Sequence, residues 1–190
     1  MELVLIRHGD PDYSSCKYGG INHQGFGLVP LSEAGIEQAR QVANNPLLEG
    51  AQLVISSPYT RAMQTAAEIV RTTGLPLAVE PDLHELMSDR TGAPHSKAEQ
   101  DALHKDFLAC HGSWPEGEER AWETVEQLSA RVTGALNRYI HYDKVVVVTH
   151  GGVIRRFVKE PDIGYCVPYV VQMEGGIHCH GWVDVPSKKK

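Results

Sequence analysis

The sequence predicts an α/β protein: a three-layer α/β/α sandwich around a mixed, mainly parallel sheet. Two observations lead there. Residues 3–6 (Leu-Val-Leu-Ile) and 145–148 (four valines) are apolar at every position, the pattern of strands covered by helices on both faces. Segments of helical periodicity alternate with these runs and with weaker strand candidates, as in a sheet built from strand–helix–strand units.

Taken in order, the first strand spans Leu3 to Ile6. Ser32 is placed to cap a helix whose apolar positions are Ala34, Ile36, Ala39, Val42 and Ala43, with Glu33 in its first turn. Leu53–Ser56 reads as a strand, and Pro58 opens a helix to about Thr72 that Gly74 stops. Pro76–Val79 reads as a strand and 97–108 as a helix. The longest helix covers about Trp122 to Tyr139, with Val125, Leu128, Val132, Ala135, Leu136 and Tyr139 on one face. After 145–148 a short helix follows Gly151 and Gly152, and Tyr169–Met173 and His178–Val183 form a hairpin about Glu174-Gly175-Gly176. No repeat, low-complexity segment or linker divides the chain, so residues 1–190 read as one domain.

The formal net charge is −6, which disfavours a broad basic face for nucleic acid or a membrane surface. The only basic run, Lys188-Lys189-Lys190, reads as a solvated tail. An acid precedes an N-terminal apolar run far too short for a leader or a membrane span. Cys16, Cys110, Cys166 and Cys179 are widely spaced without a C-x-x-C pair, as in reduced thiols of the cytoplasm.

Chemistry is expected where strands end. The first strand runs into Arg7-His8-Gly9 and the valine strand into Thr149-His150-Gly151-Gly152. In an open α/β sheet the carboxyl ends of the strands border the ligand crevice, so both histidines face one edge. The glycines allow sharp turns and close approach, and a helix starting after Gly151-Gly152 would present free N–H groups to an anion. Arg61, at the start of the helix after Ser56-Ser57-Pro58, reaches the same edge. Two arginine forks and two imidazoles suit a tetrahedral phosphate. A neutral His8 can attack phosphorus in line, and Glu85 is the candidate proton donor to the leaving alkoxide.

These residues also carry a resemblance. Arg7-His8-Gly9, Pro30-Leu31-Ser32 with Gly35 and Gln38-Ala39, Ser56-Ser57-Pro58 with Arg61 and Gln64-Thr65-Ala66, Leu83-x-Glu85, Pro115-x-Gly117-Glu118, and Val148 to Arg155 appear in the order of the histidine phosphatase superfamily's motifs. The chain resembles that superfamily, which includes the cofactor-dependent phosphoglycerate mutases. The resemblance implies a phosphoglycerate mutase-like fold and His8 as the phosphorylated nucleophile. It implies that Arg7, Arg61 and His150 bind phosphate and stabilise the transition state. Glu85 is implied as acid and then base. It implies no metal and no cofactor.

The expected function is metal-independent hydrolysis of phosphate monoesters through phospho-His8, as in a histidine acid phosphatase, on a small phosphorylated substrate. Gly151 and His23 are further expected substrate contacts, with Tyr13, Lys17 and Tyr18 at the pocket mouth. Asp10-Pro11 replaces the family's glutamate-threonine, and residues 12–29 replace the mutases' substrate loop. The stretch between Glu85 and His150 is short beside the mutases' insertion, which favours a hydrolase. The alternatives are a phosphoglycerate mutase, a catalytically silent module that docks a phosphorylated ligand, and a metal-dependent hydrolase using His178, Cys179 and His180. A homodimer paired through the C-terminal strand is a further expectation.

Overall fold

The computed structural model describes residues 1–16, 23–93, 96–160 and 162–184. Five strands form one sheet: β1 (Glu2–Arg7), β2 (Leu53–Ser56), β3 (Leu77–Val79), β4 (Lys144–Thr149) and β5 (Pro168–Gln172), in the order β3-β2-β4-β1-β5. The first four run parallel, and β5 lies antiparallel against β1 at the sheet edge. The sheet is therefore mixed and mainly parallel, and the fold is α/β.

The strand side chains alternate between two cores. Leu3, Leu5, Ile55, Val145 and Val147 meet Leu128, Val132 and Leu136 of α5 (Val125–Asn137) and Ile154 of the short α6 (Gly151–Ile154). On the other face Val4, Ile6, Val54, Val146 and Val148 meet Val42 of α2 (Glu33–Val42) and Ala62, Ala66 and Ile69 of α3 (Thr60–Thr73). The strands thus bury both faces, which is why their sequences are apolar without alternation. A satellite cluster joins Phe107 of α4 (Lys97–Ala109) to Trp122 and Val125. The remaining helix, α1, is short (His23–Gly27).

Local signals set the helix ends. Ser32 accepts from the Gly35 N–H at the start of α2, and Gly74, at φ 72°, closes α3 in the left-handed conformation. Ser96 and Thr124 each form a capping box, with Glu99 and Gln127. The expected long helix therefore starts at Val125, because the Thr124 cap ends the extended segment that carries Trp122. The hairpin expected at 169–183 is half formed. Tyr169–Met173 corresponds to β5, but 178–183 is not a strand. Its backbone bonds elsewhere: His180 N–H donates to the Arg156 carbonyl (2.5 Å), and the Arg156 guanidinium donates to the Gly181 carbonyl (2.7 Å).

The turn after β1 packs directly on α2. A Cβ at Gly35 would lie 2.1 Å from the Asp10 carbonyl oxygen, and one at Gly9 would lie 2.4 Å from the Gly35 carbonyl oxygen. Gly35→Ala is expected to cost about 1–3 kcal/mol by overpacking against backbone that cannot yield. Gly134→Ala, in α5 with open space around it, is expected to gain about 0.4–1 kcal/mol. Urea unfolding of the two variants checks both signs.

Candidate active site

The register of β1 against β4 pairs Arg7 with Thr149, so the next residue of each strand is a histidine. The His8 N–H extends the ladder by donating to the Thr149 carbonyl (3.0 Å). The two imidazoles lie with ring centroids 5.0 Å apart. Arg61, in the first turn of α3, inserts between them. Its Nε donates to His8 Nε2 (3.0 Å), and its Nη2 donates to His150 Nδ1 (3.4 Å). The third arm, Nη1, donates to the Phe26 carbonyl (2.6 Å).

These partners fix both tautomers. His8 Nδ1 lies 2.7 Å from the Gly9 carbonyl, which can only accept, so Nδ1 carries the proton. His8 Nε2 therefore offers its lone pair, towards Arg61. His150 accepts from Arg61 through Nδ1, so its Nε2 donates to Ser57 Oγ (2.8 Å). Both rings are held neutral. Burial, then the Arg61 charge and the Arg7 charge, push the His8 pKa down to about 3, against the opposing pull of the Gly9 carbonyl. Full burial, followed by His8 and Arg61, holds His150 well below the ordinary imidazole range.

Arg7 approaches from the other side. Its guanidinium carbon stands 4.0 Å from the centroid of the Tyr165 ring, and Nη1 donates to the Ile163 carbonyl (2.7 Å). Its Nε is buried without a hydrogen-bond partner among the described residues. Gly151 lies beside it; a Cβ there would be 3.7 Å from Arg7 Nε.

Glu85 leaves the turn after β3. Its Oε1 accepts from the N–H groups of Leu86 (2.8 Å) and Gly152 (3.0 Å). A Cβ at Gly152 would lie 2.4 Å from that oxygen, so the bare glycine is what seats the carboxyl group. The Gly152 N–H at the start of α6 thus serves Glu85. The structure brings together Arg7, His8, Arg61, His150, Gly151 and Glu85. His23 opens α1, its side chain outside the described residues, as are Lys17, Tyr18 and Lys188–Lys190. Tyr13 stands near Phe26 at 6.2 Å between ring centroids.

Several motif residues prove to be braces. Thr65 Oγ1 accepts from the Gly9 N–H (3.1 Å), Gln38 Oε1 from the Asp10 N–H (2.8 Å), and Gln64 Oε1 from the Leu31 N–H (2.7 Å). Ser32 Oγ donates to Asp10 Oδ2 (2.8 Å). Buried backbone donors of the turn after His8 are thereby satisfied by side chains of α2 and α3.

Sequence reasoning missed a second brace. Arg131 donates to the carbonyls of Asp82 (2.5 Å), His84 (2.9 Å) and Glu85 (3.2 Å). It also forms a two-pronged pair with Glu123 (2.6 and 2.9 Å), which in turn accepts from the Met87 N–H (3.1 Å). Glu123 is 2% exposed. Glu118, singled out from the sequence, instead pairs with Arg120 at the surface (2.8 Å). The readable clue was an acid directly before the helix cap, eight residues ahead of an arginine on the buried side of α5. Cys179, from the metal alternative, has its Sγ 3.5 Å from Thr133 Oγ1. Among the described residues no three His, Cys, Asp or Glu side chains are grouped to hold a metal ion.

Two outcomes follow from this geometry. The unfolded chain takes up protons on these histidines near pH 6.5 while folded His8 resists to about pH 3, so stability falls as pH drops through that window. The slope is at most about 1.4 kcal/mol per pH unit per histidine. Urea midpoints at pH 7 and pH 5 measure it, and His8→Asn is expected to flatten the difference. Arg131→Met strands a buried carboxylate and is expected to cost about 3–5 kcal/mol in the same assay.

Residues 3–160 match the histidine phosphatase superfamily (branch 1). The adenosylcobalamin/alpha-ribazole phosphatase of Escherichia coli (strain K12) is 29% identical over 159 residues, covering 81% of this chain and 75% of the relative. A protein of Photorhabdus laumondii named as a probable phosphoglycerate mutase is 27% identical over 157 residues, covering 80% of this chain and 70% of that one. Among solved structures, a mycobacterial glucosyl-3-phosphoglycerate phosphatase in complex with VO3 superposes with a TM-score of 0.62. It is 28% identical and covers 81% of this chain and 77% of its own. With the profile spanning most of the chain and these relatives covering most of theirs, the chain belongs to the histidine phosphatase superfamily.

Proposed function

We propose that the protein is a metal-independent phosphatase that hydrolyses phosphate monoesters of small molecules through a phosphohistidine on His8, with residues 1–190 acting as one domain. The observation that carries this reading is the single Arg61 guanidinium bonded to both imidazoles. A phosphoryl group placed there finds a neutral nucleophile and a second imidazole, each one hydrogen bond from the same permanent positive charge.

His8 Nε2 attacks phosphorus and the ester P–O bond breaks. Glu85 gives its proton to the departing oxygen. The phosphorylated imidazole keeps its Nδ1 proton on the Gly9 carbonyl, which steadies the positive charge it gains. Arg61 and Arg7 donate to the equatorial oxygens, Arg61 exchanging its bonds to the histidines for bonds to phosphate, and the His150 Nδ1 lone pair so freed accepts the P–OH proton of a monoanionic ester. Glu85, now a carboxylate, takes a proton from water as the water oxygen attacks phosphorus. The P–N bond breaks, and phosphate and neutral His8 are released.

The relatives include both phosphatases and a probable phosphoglycerate mutase; the short stretch from Glu85 to His150 is what favours hydrolysis. No helix among the described residues is long and apolar enough to cross a membrane. Cys110, Cys166 and Cys179 are unpaired thiols, which supports a reducing compartment such as the cytoplasm.

The test is phosphate release from a panel of monoesters in EDTA. Wild type is expected to turn over, His8→Ala to lose about 10³-fold or more, and Glu85→Gln about 10²–10⁴-fold on alkyl esters. An alkaline quench is expected to trap phosphohistidine in wild type alone. Undiminished turnover by His8→Ala, or phosphoglycerate isomerisation that requires a bisphosphate primer, would overturn the reading.

A further inference from the structure

Beside Glu85 lies a partly open pocket of about 560 Å³, whose walls include Leu86, Phe107, Leu108, Val125, Leu128 and Trp182. Its volume is that of a small-molecule site. Two of its lining residues, Glu85 and Gly152, belong to the active site. Glu85 also bears electrostatically on Tyr59, whose ring packs 5.0 Å from that of His150. Glu85 thus lies at the border between the pocket and the histidine site.

The cavity has a polar point as well. Arg156 lines it and is 4% exposed. Its Nη1 is spent on the Gly181 carbonyl, and its Nε has no hydrogen-bond partner among the described residues. A buried N–H without an acceptor is costly, and an oxygen on a bound molecule would satisfy it. The segment that sequence reading gave as a strand borders this space. Trp182 packs at a steep angle against Phe107 and His111, each at 5.6 Å between ring centroids.

We propose that this cavity is the subsite for the alcohol half of the ester, and that the substrates are phosphate monoesters of bulky, mainly apolar alcohols. The inference rests on Glu85 being the proton donor. The oxygen Glu85 protonates is the one bonded to the alcohol carbon, so that carbon continues past Glu85 into the space the carboxylate borders.

The test compares 2-(2-naphthyl)ethyl phosphate with ethyl phosphate, whose leaving oxygens are both alkoxides, so the comparison isolates the body of the alcohol. Wild type is expected to favour the naphthyl ester in kcat/KM by about tenfold or more. Leu108→Asp, at a position 39% exposed in the last turn of α4, is expected to abolish that preference while leaving ethyl phosphate turnover unchanged. Val183→Asp, on another wall, is the second variant should the first fail to fold. Binding of the naphthyl ester to His8→Ala, followed by tryptophan fluorescence, reads the cavity without catalysis. Naphthyl binding there without turnover by wild type would support the cavity and sink the phosphatase reading. Equal kcat/KM for the two esters, or a preference that survives both aspartates, would overturn the cavity assignment and leave the phosphatase reading standing.

Discussion

The parallel pairing of β1 with β4, in register from Glu2 opposite Lys144 to Arg7 opposite Thr149, is the constraint on which the site depends. A slip of one residue would turn every strand side chain to the opposite face, exchanging the two apolar cores. It would also separate His8 from His150, which meet because each follows the last paired residue of its strand. The apolar interior thus sets the alignment of the two imidazoles, and the stability of the sheet and the geometry of the chemistry are one requirement.

Arg61 completes that geometry at an electrostatic cost. Burial first, and the Arg61 charge beside both rings second to it, keep the two imidazoles neutral, so each has a lone pair to offer and neither adds to the positive charge. The Arg61 and Arg7 forks rest on the carbonyls of Phe26 and Ile163, neutral acceptors that the phosphate of the proposed reaction, carrying charge, would outcompete.

Glu85, the proposed proton donor, is held differently from His8, the proposed nucleophile. His8 is fixed by strand pairing, whereas Glu85 sits on a turn that has no ladder of its own. Arg131 supplies what the turn lacks, by gathering three of its carbonyls, and Glu123 neutralises and orients Arg131. Gly152 then admits the carboxylate into contact with the start of α6. A helix on one face of the sheet thereby sets the position of a group at the sheet's edge.

The sequence by itself determined the parallel strands, because only burial on both faces makes four consecutive valines useful, and it determined the strand-end motifs that carry His8, Arg61 and His150. Helix caps at Ser32 and Gly74 were equally legible, since capping depends on residues a few positions apart. What only the tertiary structure decided depends on partners far away in the chain. Residues 178–183 have the pattern of a strand, yet they find no strand beside them and bond to Arg156 instead. Gln38, Gln64 and Thr65 read as motif letters, and folding reveals them as acceptors for backbone N–H groups near His8. The Glu123–Arg131 brace and the cavity beside Glu85 were invisible for the same reason: a buried ion pair and a pocket are properties of packing, and no local pattern of residue types encodes them.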